Sequence, residues 1–94
     1  MIQIEEKHRK LITEIMQKYQ FDFFVFGSRA KGLARPLSDL DLCIKSQVSK
    51  STIRRLQDEF EESDLPYKVD LILWDEISDA FKKNIESDLI LFEK

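Results

Sequence analysis

The chain has 94 residues, 43% of them hydrophobic, with 15 basic and 18 acidic side chains and a net charge of -3, which allows one modest core and is expected to form a single domain over residues 1–94. The acidic balance argues against a non-specific grip on nucleic acid, which needs a basic face, but admits a small nucleotide whose charge is met locally. The lone Cys43 excludes an internal disulfide and suits a reducing cytoplasm, the mixed charges of Met1 to Lys10 make no secretory signal, and no apolar run approaches the roughly 20 residues that span a membrane.

Ile4, Leu11, Ile12, Ile15, Met16 and Tyr19 recur at helical spacing, so Ile4 to Tyr19 is predicted as an amphipathic helix. Phe21 to Phe26 is short, aromatic and nearly all apolar, which predicts a buried strand ended by Gly27. Ser28 to Ser38 is polar, holds Gly32 and Pro36, and reads as a loop with room for one helical turn. Asp39 to Lys45 is the second predicted strand. Ser49 or Ser51 caps a helix running to about Ser63, with a narrow stripe of Ile53, Leu56 and Phe60, and Leu65-Pro66 ends it. Lys68 to Trp74 is the third strand. Asp75 is the expected cap of a last helix in which Ile77, Phe81 and Ile85 share a face. Leu89 to Phe92 is an apolar tail, readable as an edge strand, a partner surface or part of the core. This order predicts an α/β fold: a small mixed sheet of about three to four strands with helices packed on it.

Side chains alternate across a strand, so Asp39 and Asp41 point one way while Leu40 and Leu42 point the other. On the third strand Asp70 is opposed in the same way to Val69, Leu71 and Leu73. If the two strands are neighbours, three carboxylates converge. Oxygen-only clusters of this kind suit Mg²⁺, with Mn²⁺ as the alternative, rather than zinc. Gly27 allows a sharp turn and a close backbone approach, and Ser28 offers a hydroxyl and an N–H to phosphate oxygens. Arg29 and Lys31 add positive charge within reach of a triphosphate. The Gly-Lys-Ser/Thr ending of a Walker A loop is absent. Phosphate turn and acids together point to chemistry on a nucleoside triphosphate.

Phe26-Gly27-Ser28-Arg29-Ala30-Lys31-Gly32, then Ser38-Asp39-Leu40-Asp41-Leu42, then Val69-Asp70-Leu71, resembles the nucleotidyltransferases related to DNA polymerase β. The pattern is most similar to the minimal nucleotidyltransferase domains paired with HEPN partners in prokaryotic toxin–antitoxin modules. The resemblance implies Mg²⁺-dependent transfer of AMP from ATP to a hydroxyl. It implies a phosphate turn at Gly27 and Ser28, metal ligands at Asp39 and Asp41, and Asp70 as third ligand and helper in deprotonating the acceptor. It also implies a HEPN toxin tyrosine as acceptor, with this chain as antitoxin, while the charge balance leads one to expect no direct nucleic-acid binding. Two alternatives remain: masking of a toxin without catalysis, and transfer to a small molecule such as an aminoglycoside.

The remaining polar and aromatic residues have simpler assignments. His8 reads as a solvated helix residue and Cys43 as a small buried hydrophobe. Arg35 is a loop cation. Trp74 shares the face of Asp70 by alternation, and packing is its simplest role.

Overall fold

The computed structural model describes residues 1–94. In chain order the elements are α1 (Glu6–Met16), β1 (Phe24–Phe26), α2 (Ser28–Lys31), β2 (Leu40–Ile44), α3 (Lys50–Glu62), β3 (Val69–Leu73), a 3₁₀ turn (Trp74–Glu76), α4 (Asp79–Ile85) and β4 (Ile90–Leu91). The four strands form one mixed sheet in the order β3-β2-β1-β4. β2 and β3 are parallel, joined by the α3 crossover, while β1 runs antiparallel to both β2 and β4.

The alternation in β2 fixes what each face of the sheet can do. Leu40, Leu42 and Ile44 are fully buried on one face. There they meet Ile12, Ile15 and Met16 of α1, Leu56 and Phe60 of α3, and Val25 and Val69 from the flanking strands. The opposite face carries a second, smaller cluster of Phe26, Cys43 and Ile85, with Phe24, Ile72, Trp74, Ile77 and Leu89 packed against it. Here α4 supplies the cover, and Phe81 sets its ring edge against Phe26. Cys43 is fully buried, as its small apolar character predicts.

Several boundaries differ from the sequence reading. The first helix is shorter at both ends, because Gln3 is drawn into an extended contact with Arg29 and Lys18 and Tyr19 close tighter terminal turns. β1 shrinks to three residues, since only Phe24, Val25 and Phe26 find ladder partners on β2. Ser49 caps α3 by accepting from the Thr52 N–H. The cap of α4 is Ser78, which accepts from the Phe81 N–H at 3.1 Å, while Asp75 lies in the 3₁₀ turn before it. His8 is not a freely solvated residue: its ring stands edge-on to Tyr67 with centroids 5.5 Å apart. In the apolar tail, Phe92 enters the core and Ile90 packs against it, leaving Leu91 outward. No helix is long and apolar enough to cross a membrane.

Candidate active site

The parallel register of β2 and β3 sets Asp41 directly beside Asp70. Neighbouring strands lie about 4.8 Å apart and register partners point to the same side, so the two carboxylates share one patch of the α4-covered face. Asp39 belongs to the approach to β2 rather than to the strand and is exposed. Burial, then Asp70, then Asp39, pushes the Asp41 carboxyl up from 3.8 to about 6. Lys68, two residues before Asp70 on the same side of the chain, reaches its carboxylate at 3.4 Å, a partner that sequence reasoning missed.

The Gly27 turn follows β1, the strand that flanks β2 on the side away from β3. Phe26 pairs with Asp41 in register, so the chain leaves β1 directly over the Asp41 side chain. A Cβ on Gly27 would overlap Asp41 Oδ2, and Gly27 has φ +74°, ψ −155°, a conformation that side chains disfavour. Glycine is therefore required twice over, by backbone conformation and by space. The Gly27 carbonyl accepts from the N–H groups of Ala30 and Lys31, which curls residues 28–31 into α2. The first N–H groups of such a turn have no acceptor within it. Ser28 opens the turn, half-buried, next to Gly27. Lys31 stands at the far end of α2, half exposed, paired with Asp88 at 3.4 Å.

Arg29 corrects the expectation of a phosphate-binding cation. It is 4% exposed, and its guanidinium is engaged by backbone carbonyls. Its Nε and Nη2 donate to Ser38 O at 3.0 and 2.7 Å, Nη2 also to Pro36 O at 3.2 Å, and Nη1 to Gln3 O at 2.9 Å. Carbonyl acceptors thus engage every nitrogen of its guanidinium. An arginine after Gly-Ser reads from sequence as a ligand because nothing local announces three carbonyls brought in from elsewhere.

No three carboxylate, imidazole or thiol groups stand close enough to form a ready-made metal cage. The donor set still fits a hard divalent cation. Mg²⁺ is commonly held by one or two carboxylates, with substrate phosphates and water completing its shell. The Asp41–Asp70 pair supplies that minimum beside the Gly27 turn, and its crowded negative charge favours a cation. The largest cleft, about 370 Å³, lies elsewhere, between Gln3, Glu5, His8, Arg35 and Tyr67, and none of the three acids lines it. The acids occupy an open sheet surface instead.

A glycine turn set over paired strand carboxylates on a small mixed sheet is consistent with a nucleotidyltransferase-like fold, and comparison with known proteins agrees. The family described as "Nucleotidyltransferase domain" matches residues 8–92, so the chain belongs to that family and is a nucleotidyltransferase. A Haemophilus influenzae protein named "Probable protein adenylyltransferase MntA" is 35% identical over 97 residues, covering 99% of this chain and 85% of that protein. Two Methanocaldococcus jannaschii proteins that also carry protein adenylyltransferase names, MJ0126 and MJ1217, are each 36% identical over 91 residues. They cover 94% of this chain, and the matches span 93% and 90% of their own lengths. The chain is a minimal, MntA-like nucleotidyltransferase domain.

Proposed function

We propose that this chain transfers AMP from ATP to a hydroxyl of a protein partner, the tyrosine of a HEPN-type toxin, and so acts as its antitoxin. The observation that carries the chemistry is the register pairing of Asp41 with Asp70 beneath the Gly27 turn. Adenylyltransferase names on relatives that align with nearly the whole chain support AMP as the transferred group.

Asp41 and Asp70 would hold a divalent cation, Mg²⁺ in this reading, with Asp39 drawn in as a further ligand on binding; the cation when bound would neutralise charge on the triphosphate oxygens. Gly27 lets the backbone approach the phosphates, and Ser28 donates from its hydroxyl and N–H. Lys31 adds charge at the edge, exchanging its Asp88 contact for phosphate. The acceptor oxygen attacks the α-phosphorus, a new P–O bond forms, and the bond to the bridging oxygen breaks to release pyrophosphate. Asp70 accepts the hydroxyl proton and passes it to water. Both tyrosines of the chain, Tyr19 and Tyr67, are buried, so a tyrosine acceptor has to come from another molecule.

The test uses ATP labelled at the α-phosphate, Mg²⁺ and a purified helical partner encoded beside this chain. Label should pass to the partner with the wild type. Asp41→Asn with Asp70→Asn should cut the rate at least about 10²-fold, the equivalent of several kcal/mol of lost charge stabilisation. A folded double variant that still transfers label at the wild-type rate overturns the assignment of the acids. A variant that transfers nothing yet still neutralises the toxin in cells moves the antitoxin role to masking.

A further inference from the structure

Three parts of the site come from distant stretches of chain: the Gly27 turn, Asp39 on the approach to β2 with Asp41 inside the strand, and Asp70 near the start of β3. The sheet ladder fixes Asp41 beside Asp70 and Phe26 beside Asp41, but Asp39, α2 and the loop between α2 and β2 lie outside it. Arg29 sits where the three meet. It belongs to α2, two residues after Gly27. Its guanidinium grips Ser38 O, immediately before Asp39, with two nitrogens, and Pro36 O with one of the same pair. Its Cζ lies 3.8 Å from the centroid of the Tyr67 ring, three residues before Asp70. The fourth arm, from Nη1, holds Gln3 O.

Gln3 extends this clamp. Its N–H donates to Arg29 O at 2.8 Å. Its side-chain amide pairs with Ala34 in both directions, donating to Ala34 O and accepting from Ala34 N–H, each at 2.9 Å. The segment before α1 is thereby laced to the loop between α2 and β2. Leu33, Arg35 and Leu37 of that loop are exposed, so little apolar burial holds it. Its shape rests on Gln3, Arg29 and the Ser38 hydroxyl, which accepts from the Arg35 N–H at 2.8 Å.

We infer that Arg29, braced by Gln3, is the positioning residue that holds α2 and Asp39 in place beside the ladder-held acid pair. The inference rests on the adenylyl-transfer reading above. A guanidinium suits the task because one rigid, permanently charged plane can serve several carbonyls and stack on an aromatic ring together. A lysine ammonium keeps the charge but cannot span Gln3, Pro36 and Ser38 from one point. Loosening the clamp leaves phosphate-binding groups and acids intact and spoils their mutual placement. Errors of that kind fall on kcat, since a misplacement of about 1 Å can cost on the order of 10²-fold.

The experiment compares the full-length wild type, Arg29→Lys and Gln3→Ala, each checked for cooperative unfolding and assayed well below its Tm. Arg29→Lys should lower kcat about tenfold or more with the KM for ATP within about twofold, and Gln3→Ala should do the same more weakly. Amide hydrogen exchange on the protein alone should speed up over residues 34–40 in both variants and stay unchanged in α3. Wild-type kcat in folded Arg29→Lys, or faster exchange spread evenly through α1 and α3, overturns the positioning role and leaves Arg29 a stabilising residue only. If Arg29→Lys does not fold, Gln3→Ala decides by the same two readouts. If the wild type transfers nothing to any partner, the adenylyl-transfer reading fails, and the exchange pattern still decides whether the clamp exists.

Discussion

The two faces of the sheet use the same strands for opposite purposes. On the α1/α3 face, Leu40, Leu42 and Ile44 join a core of 15 buried residues. On the α4 face, Asp41 and Cys43 alternate with them, and the buried cluster has only three members. Both helices covering the first face are longer than α4, with 11 and 13 residues against 7. The contrast teaches where this small protein keeps its stability. One face is closed for folding, and the other stays partly open, which in the proposed function leaves its carboxylates within reach of a nucleotide phosphate. Clustered acids are tolerable there only because they remain near solvent and a prospective cation.

The sharpest way to break the contrast is to cut into each face. Leu42→Ala, in the fully buried face, should cost about 2–5 kcal/mol and leave a chain of this size near unfolding. Phe81→Ala, on the 38%-exposed side chain that edges Phe26, should cost under about 1.5 kcal/mol. Urea denaturation of both variants measures the difference, and equal losses would mean the α4 face carries as much of the fold as the other.

Gly27→Ala acts between the faces. The added methyl meets Asp41 Oδ2 and forces a strained φ, so Asp41 or the turn must shift. A destabilisation of about 1–3 kcal/mol should accompany a loss of ATP binding, measured by calorimetric titration with Mg²⁺. Gly32→Ala is the control: it also has positive φ but meets nothing within 4 Å, so it should cost stability without comparable loss of binding.

The smallest effect is electrostatic and sets Asp41 against its neighbours. Its carboxyl is raised from 3.8 to about 6, so the folded chain holds that proton more tightly than the unfolded chain does. This contribution is fully present below about pH 4 and is lost as pH rises through about 6. After discounting for partial exposure it amounts to on the order of 1–2 kcal/mol. Asp41→Asn should therefore be more stable than wild type at pH 7 and lose that advantage by pH 4.5, in paired urea melts. Added Mg²⁺ should raise the Tm of the wild type at pH 7 and leave Asp41→Asn much less affected.

The sequence by itself determined where the strands lie and which way their residues face. Alternation in Leu40-Asp41-Leu42 and Val69-Asp70-Leu71 is local, so which side each residue takes is readable without a fold. The same holds for the Ser49 cap and for Gly27 as the end of β1, because caps and turns are decided within a few residues. Tertiary structure decided what depends on distant partners. It put β3 beside β2 in the register that joins Asp41 to Asp70, and trimmed β1 to the residues that find ladder partners. It tucked Phe92 into the core, and turned Arg29 inward to carbonyls 7 to 26 residues away along the chain. Arg29 shows the physical reason most plainly. A guanidinium next to a phosphate turn has the same local signature whether it faces solvent or the interior, and only the acceptors delivered by the folded chain choose between them.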